Sequence, residues 1–381
     1  MSQSFYAETL FDGDSLLSKQ LLTVDNGFIN LVQDCEAPPN NAVKLPGLVS
    51  PGFIDVQVNG GGGKLFNTEP NLQTLQTMVN AHGQFGTTAM LPTLITDDIG
   101  VMSAAADAVA EAIASGSPGI LGVHFEGPHL STPKKGIHPE QHIRPLSSEE
   151  MALFCRQDLG KVLVTLAPEN VLPEQITALV SAGVHVCLGH TNADAVTTQK
   201  ALAAGASGFT HLFNAMSAMT SREPGVVGAA LADKDSYCGL IVDHYHVHAT
   251  SCQVAIRCKG YDKIMLVTDA MAHVGSDITS MPYFDTVIER VGDKLTVPDG
   301  TLAGSALDMA SAVRNCHRDL FIPLTDALNM ASLTPASYLQ LQQRFGKLQP
   351  GYQADLVCLD SELHVSQSWI GGKLCFSNHH A

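Results

Sequence analysis

From about residue 50 the chain alternates short, nearly continuous apolar runs with longer amphipathic stretches. The runs are FIDVQV (53–58), TTAMLPTL (87–94), ILGVHFEG (120–127), VLVTLAPE (162–169), HVCLGHT (185–191), GFTHLF (208–213), YCGLIVD (237–243) and KIMLVTD (263–269). Runs this apolar predict parallel strands buried on both faces. The stretches between them, such as NLQTLQTMVNAHGQF, VMSAAADAVAEAIAS and LPEQITALVSAG, predict helices, the last with glycine as its stop. Eight strand–helix units predict an α/β fold of the (β/α)8 TIM-like barrel type. The pattern also admits a doubly wound sheet, because barrel closure leaves no periodic signal.

The two ends follow another rhythm. Residues 1–49 alternate apolar and polar positions, with Asn26-Gly27 as a hairpin signal, and residues 350–381 do the same in ADLVCLD and SWIGGKLCFS. Both ends flank the barrel. They predict one small β-sandwich domain, 1–49 plus 350–381, beside a catalytic barrel domain at 50–349.

Composition narrows the function. A formal net charge of −16 disfavours nucleic acid and anionic membrane as partners, so an anionic substrate needs a local cationic pocket. The first residues, MSQSFYAETLFDGDS, carry no basic region followed by an apolar one, and no apolar run approaches a membrane span. Nine scattered cysteines without a CxxC pair read as reduced thiols, and a cytoplasmic location is expected.

Candidate chemistry lies where the strands end, because strand C-termini line the mouth of such a barrel. Gln57, Glu126, Glu169, His190, His211, Asp243 and Asp269 all fall there. Taken singly, each has a plain structural explanation. Glu126 before Gly-Pro can cap a helix, His190 and His211 can pack on the rim, and Asp269 can be an N-cap. Together, one glutamate and two histidines form a set that leaves a coordination position open for water, as a catalytic metal requires. Asp269 is then placed as a general base, and Glu169 as a supporting carboxylate. In the cluster Asp243-His244-Tyr245-His246-Val247-His248, an extended backbone would turn alternate side chains apart. His246 is expected to face the site, with the other two histidines exposed or packed.

Eleven short motifs in order, PGFIDVQVNG, LPTLIT, HFEGPHL, KKGIHPE, TLAPE, GHTNA, THLFNAM, REPGVVGAAL, LIVDHYHVHA, LVTDAM and GTLAGSALDM, resemble the N-acetylglucosamine-6-phosphate deacetylases of the amidohydrolase superfamily. The resemblance runs the length of the chain. It implies metal ligands at Glu126, His190 and His211, a catalytic carboxylate at Asp269, and His138 against the N-acetyl carbonyl. It further implies sugar-phosphate contacts from Asn214, Ala215, Arg222 and His246, and substrate contacts from Ile137 and from the backbone of Leu302, Ala303 and Gly304. In this family the arginine can reach a neighbouring subunit's site, which implies a homodimer with Arg222 crossing over. The implied reaction is hydrolysis of N-acetylglucosamine 6-phosphate to glucosamine 6-phosphate and acetate. Zinc is the metal that suits the ligand set, with iron, cobalt and manganese as alternatives. Other N-acyl amino sugars, N-acylamino acids, or a non-catalytic binding role are the competing readings. Barrel hydrolases of this kind often end their first strand in His-x-His, which seats one metal of a pair. Here those positions are Gln57 and Asn59, poor ligands for zinc. A single metal per chain is therefore expected, with Gln57 and Asn59 hydrogen-bonding water or substrate.

Overall fold

A computed structural model describes residues 3–378. Eight parallel strands follow one another around a barrel in sequence order: Phe53–Val58, Thr87–Ile95, Gly122–Glu126, Lys161–Leu166, His185–Leu188, Gly208–Phe209, Tyr237–Leu240 and Ile264–Leu266. The intervening helices carry the stop and start chemistry of their sequences. Leu72–Gly83 begins at Asn71, whose side chain accepts the Thr74 N–H. Ile99–Ser115 begins at Asp98 and ends at Gly116 in the left-handed conformation, a C-cap that glycine adopts without strain. Pro173–Ser181 stops at Ala182, one residue before the expected glycine.

Several strands are shorter than the apolar runs that predicted them. The sixth is only Gly208–Phe209, although the run GFTHLF extends to 213. Beyond the strand the backbone leaves extended geometry: His211 has φ +31° and Phe213 φ +79°. His190 (φ +46°) and Asp269 (φ +53°) sit in the same left-handed region just past the fifth and eighth strands. For non-glycine residues that conformation costs on the order of 1 kcal/mol or more and concentrates at functional sites.

The barrel closes between its first and eighth strands. The Asp269 N–H donates to Gln57 O at 3.0 Å and the Asn59 N–H to Ala270 O at 2.9 Å. Below that seam, the buried Asp55 carboxylate accepts the Thr268 hydroxyl at 2.5 Å and the Gln57 N–H at 3.1 Å. Burial pushes the Asp55 carboxyl up to about 7, against these hydrogen bonds.

The chain ends meet in a seven-stranded mixed sheet, ordered Lys373–Ser377, Val365–Ile370, Leu356–Leu359, Val43–Pro51, Gln3–Phe11, Leu16–Asp25, Phe28–Asp34. Gln3–Phe11 and Val365–Ile370 are three places apart in this order, roughly 14 Å in a flat sheet. The Phe5 and Trp369 rings they carry nevertheless lie 4.9 Å apart. The sheet therefore curls over its own core of Phe5, Leu10, Leu22, Val49, Leu356 and Trp369. Asn26 and Gly27 both take positive φ in the hairpin turn between Asp25 and Phe28, as that dipeptide predicts. Residues 1–2 and 379–381 of the expected small domain lie outside the described residues.

One element has no counterpart in the sequence reading. An antiparallel three-stranded flap, Ser280–Tyr283, Thr286–Val291 and Lys294–Thr296, follows the eighth barrel strand. Its Tyr283, Ile288 and Leu295 pack on Leu65, Ile95 and Met271 at the barrel mouth.

Replacing Thr268 with Val removes the shortest hydrogen bond of the buried Asp55 at the closing seam. Denaturant unfolding of Thr268→Val should show a loss of about 1–3 kcal/mol relative to the parent. A loss below ~0.5 kcal/mol would show that this bond does not hold the seam.

Candidate active site

The mouth of the barrel holds a cavity of about 330 Å³. Its walls include Asn59, Glu126, Ile137, His138, His190, His211, Asn214, Ala215, His246, Asp269, Leu302 and Gly304, brought from strands distant in sequence. Asn59, Glu126, His138, His190 and His211 are buried, and Asp269 is partly buried.

Three atoms converge at its floor. His211 Nε2 lies 3.0 Å from Glu126 Oε1 and 3.0 Å from His190 Nε2, and His190 Nε2 lies 3.3 Å from Glu126 Oε1. Ligand atoms 2.0–2.1 Å from a common zinc stand about 3.3 Å apart in a tetrahedron, so this triangle has the size of a metal-binding face. The tautomer agrees. His190 Nδ1 can only donate to the Lys134 carbonyl oxygen at 2.8 Å, which leaves Nε2 as a bare lone pair in the neutral ring. His211 Nδ1 is buried with no partner. A second grouping, Glu126, His138 and His190, also brings its ligand atoms within 4.8 Å of one another. The set with His211 is the tighter one and fits the tetrahedral edge, so His138 is read as standing beside the ligands. The chemistry of this donor set fits a divalent metal.

The electrostatics favour a cation here. Burial would raise the Glu126 carboxyl, but hydrogen bonds and charge from His190 and His211 outweigh it and hold the group well below the usual range. Asp269 goes the other way: burial, then the nearby Glu126 charge, push it up to about 6. These two carboxylates share one donor. Gln57 Nε2 lies 3.1 Å from Glu126 Oε1 and 3.2 Å from Asp269 Oδ1, and Asn59 Nδ2 donates to Asp269 Oδ1 at 2.7 Å. The amide nitrogens of both thus face the two carboxylates, and Asn59 Oδ1 is buried without a hydrogen-bond partner.

Other predicted residues take definite places. The run 243–248 is a bend, not an extended segment, because Asp243 Oδ1 accepts the N–H groups of both Tyr245 and His246. His246 lines the cavity and gives Nδ1–H to Asp243 Oδ2 at 2.6 Å. His244 instead meets Asp319 at 2.9 Å, and His248 caps the helix Ala249–Lys259. Glu169 accepts the Thr191 hydroxyl and the Asn192 N–H, so it anchors the loop that follows His190. Leu302 and Gly304 face the cavity, whereas Ala303 is buried in the flap with its N–H committed to Leu295 O at 3.2 Å. Arg222 lies on an exposed loop outside its own chain's cavity and has no hydrogen-bond or ionic partner among the described residues. Lys134 also lines the cavity and was not singled out by the sequence reading, although the motif KKGIHPE contains it. The loop bearing both Lys134 and His138 is tied down by Arg144. That residue reaches Glu150 Oε1 at 2.6 Å and the carbonyls of Asp97 and His142 at 2.9 and 2.7 Å.

Comparison with known proteins bears on this arrangement. The family model described as "Amidohydrolase family" matches residues 48–375. The chain belongs to the amidohydrolase family. An N-acetylgalactosamine-6-phosphate deacetylase from Shewanella sp. (strain ANA-3) is 56% identical over 330 residues, covering 87% of this chain and 84% of that protein. An N-acetylglucosamine-6-phosphate deacetylase from Vibrio furnissii is 34% identical, covering 98% and 94%. The crystal structure of N-acetylglucosamine-6-phosphate deacetylase from Pasteurella multocida superposes with a TM-score of 0.95 at 35% identity, over 99% of this chain and 100% of that one. An amidohydrolase barrel with a sheet domain made from the chain ends is thus the fold of this protein, and the family is one of metal-dependent hydrolases. No helix among the described residues is long and apolar enough to cross a membrane.

Metal-stripped protein titrated with zinc should saturate at a single tightly bound ion per chain, read by elemental analysis after desalting. Glu126→Gln should retain far less. Two tightly held ions in the parent protein would show that Gln57 and Asn59 do not close off the second position.

Proposed function

We propose that this amidohydrolase removes the acetyl group from an N-acetylhexosamine 6-phosphate, releasing acetate and the free amino sugar phosphate. The observation that carries the reading is the buried convergence of Glu126, His190 and His211 beside Asp269, a carboxylate pushed up to about 6. A general base works best when its pKa approaches the working pH, and Asp269 is moved in that direction.

Amide hydrolysis needs an activated water, stabilisation of the developing oxyanion and a proton for the departing nitrogen. Glu126, His190 and His211 would hold a divalent metal, which would supply Lewis acidity and lower the pKa of a water bound to it to roughly 7. Zinc suits one carboxylate and two imidazoles. Asp269 takes the proton of the attacking water and returns it to the sugar nitrogen. Gln57 and Asn59 hold Asp269 on the barrel seam while it does so. His138 stands over the same space, its ring 4.3 Å from that of His190, and serves the acetyl carbonyl oxygen. Ile137, Leu302 and Gly304 form the wall against the sugar, and Asn214, Ala215 and His246 its phosphate end.

The cation for the phosphate comes from a second copy in this reading. Arg222 is exposed and without a partner among the described residues, as a group that crosses into a neighbouring subunit's site would be in the single chain. Its planar fork suits phosphate. A homodimer follows, and a cytoplasmic amino-sugar catabolic role fits the substrate.

Two epimers at C4 compete as substrate. The motif resemblance and the Vibrio furnissii relative favour the gluco sugar. The Shewanella relative, far more similar at 56% identity, bears the galacto name. We give the galacto epimer precedence on that ground.

Purified metal-loaded protein should release acetate from both N-acetylgalactosamine 6-phosphate and N-acetylglucosamine 6-phosphate, with the higher kcat/KM for the former. Release from neither would overturn the reading, and a clear gluco preference would reverse the order of epimers. In Asp269→Asn, kcat should fall at least about 100-fold while metal content holds. Retained turnover would remove Asp269 from its role.

A further inference from the structure

Arg222 sits at the tip of a loop that is closed and anchored by its neighbours. Ser221 and Arg222 lie between Thr220 and Glu223, which bond to each other. The Thr220 N–H and the Thr220 hydroxyl both donate to Glu223 O at 2.9 Å, and the Glu223 N–H donates to Thr220 Oγ1 at 3.2 Å. The Glu223 side chain then reaches beyond the loop. Its Oε1 accepts the Ala195 N–H at 2.9 Å and the Gly225 N–H at 2.9 Å.

Those two amides open the helices Ala195–Ala203 and Gly225–Ala232. First-turn amides have no partner inside their own helix, and a helix N-terminus carries partial positive charge. The capping Asp194 side chain is engaged with the Thr197 N–H, and Pro224 offers no side-chain cap. One carboxylate oxygen thus serves two helix starts. The base of the loop is tied to the same neighbour. Ser217 donates its hydroxyl to Ala193 O at 2.6 Å and accepts the Val226 N–H at 2.8 Å. Gly225 has φ +59°, and a Cβ there would lie 2.7 Å from Ala218 O, so the two limbs of the loop touch at its base. Ser217 and Glu223 therefore pin the loop to residues 193–195, just beyond the metal-ligand candidate His190. Arg222 follows this path without an ion pair among the described residues, although a carboxylate is its neighbour in sequence, because that carboxylate is committed to backbone amides.

We propose that Glu223 is the positioning residue of Arg222. It holds the loop so that the guanidinium projects in one direction, and it keeps its own charge away from that guanidinium. The role rests on the reading of Arg222 as the phosphate cation of a neighbouring subunit's site. What Glu223 adds is stiffness: a charged fork that arrives already aimed loses less freedom on binding an anion.

Kinetics on phosphorylated and unphosphorylated N-acetylhexosamine test this. In Glu223→Ala, KM for the phosphorylated sugar should rise about 10-fold, with kcat changed less than about threefold. For the unphosphorylated sugar, kcat/KM should stay within about twofold of the parent. Glu223→Gln keeps an oxygen acceptor for both amides and should return KM to within about threefold of the parent. Arg222→Ala should raise KM at least as far as Glu223→Ala, and the double variant should be no worse than Arg222→Ala alone. That non-additivity separates a role through Arg222 from a general one, since Asn214 and Ala215 begin the same loop. Hydrogen exchange read by mass spectrometry over residues 193–198 and 217–226 needs no turnover. It should quicken in Glu223→Ala and not in Arg222→Ala. Unchanged KM in Glu223→Ala, equal losses on both sugars, additive losses in the double variant, a Glu223→Gln as impaired as Glu223→Ala, or unchanged exchange would each overturn the proposal. A parent protein that turns over neither epimer would instead sink the deacetylation reading and the phosphate role with it, and exchange would then decide whether Glu223 anchors the loop.

Discussion

Two carboxylates buried within reach of one amide nitrogen dominate the chemistry of this barrel. Glu126 and Asp269 both approach Gln57 Nε2, at 3.1 and 3.2 Å. Leaving a carboxylate charged in such a place costs several kcal/mol, whereas a hydrogen bond to a charged group returns only about 1.5–3 kcal/mol. The amides of Gln57 and Asn59 therefore offset part of the cost. The imidazoles of His190 and His211 take Glu126 most of the way, and its carboxyl is held low. Asp269 has weaker support and is pushed up. One carboxylate is thus kept ionised, as a metal ligand would need to be, and the other is left near the point of accepting a proton. The difference between them comes from their neighbours: two imidazoles face Glu126, whereas Asp269 faces the Glu126 charge.

The division depends on where the barrel closes. Gln57, Asn59 and Asp269 lie on the first and last strands or just beyond them, separated by more than half the sequence. They meet because backbone hydrogen bonds from Asp269 and Asn59 complete the ring of strands. Asp269 is consequently part of the closing seam, and the Asp55–Thr268 hydrogen bond beneath it anchors that seam in the core. Loosening the closure would move Asp269 and its amide partners together. Barrel closure thus fixes the places of Asp269 and Asn59 in the cavity wall.

Much of this was legible in the sequence, and the reasons are physical. Parallel strands buried on both faces write apolar runs, so all eight barrel strands could be placed, and a turn that needs two positive φ angles wrote Asn-Gly at 26–27. Strand lengths were overestimated at 185–191, 208–213 and 263–269 because the apolar pattern continues through residues whose backbone has left extended geometry. The flap at 280–296 was missed because short antiparallel strands with exposed faces leave a weak alternation. For the cavity, residue type and position past a strand end were enough to nominate Glu126, His190, His211 and Asp269. They were not enough to find Lys134, which enters the cavity from a short helical turn in the loop after the third barrel strand. Nor could they show that Ala303 spends its N–H within the flap.

The positive φ angles connect these observations. His190, His211 and Asp269 each leave their strand through a left-handed residue, and each is itself that residue. A side chain on a regular strand points into or out of the barrel by alternation and cannot turn upward. Reversing φ two or three residues beyond the strand redirects it across the mouth, toward the axis on which the other two converge. The strain this costs is borne by short strands whose ladder ends early, which is why the sixth strand is reduced to two residues beside His211. The brevity of the strands and the convergence of the side chains are one feature of the backbone. It also explains why the apolar pattern overruns the strands at the positions where the chemistry begins.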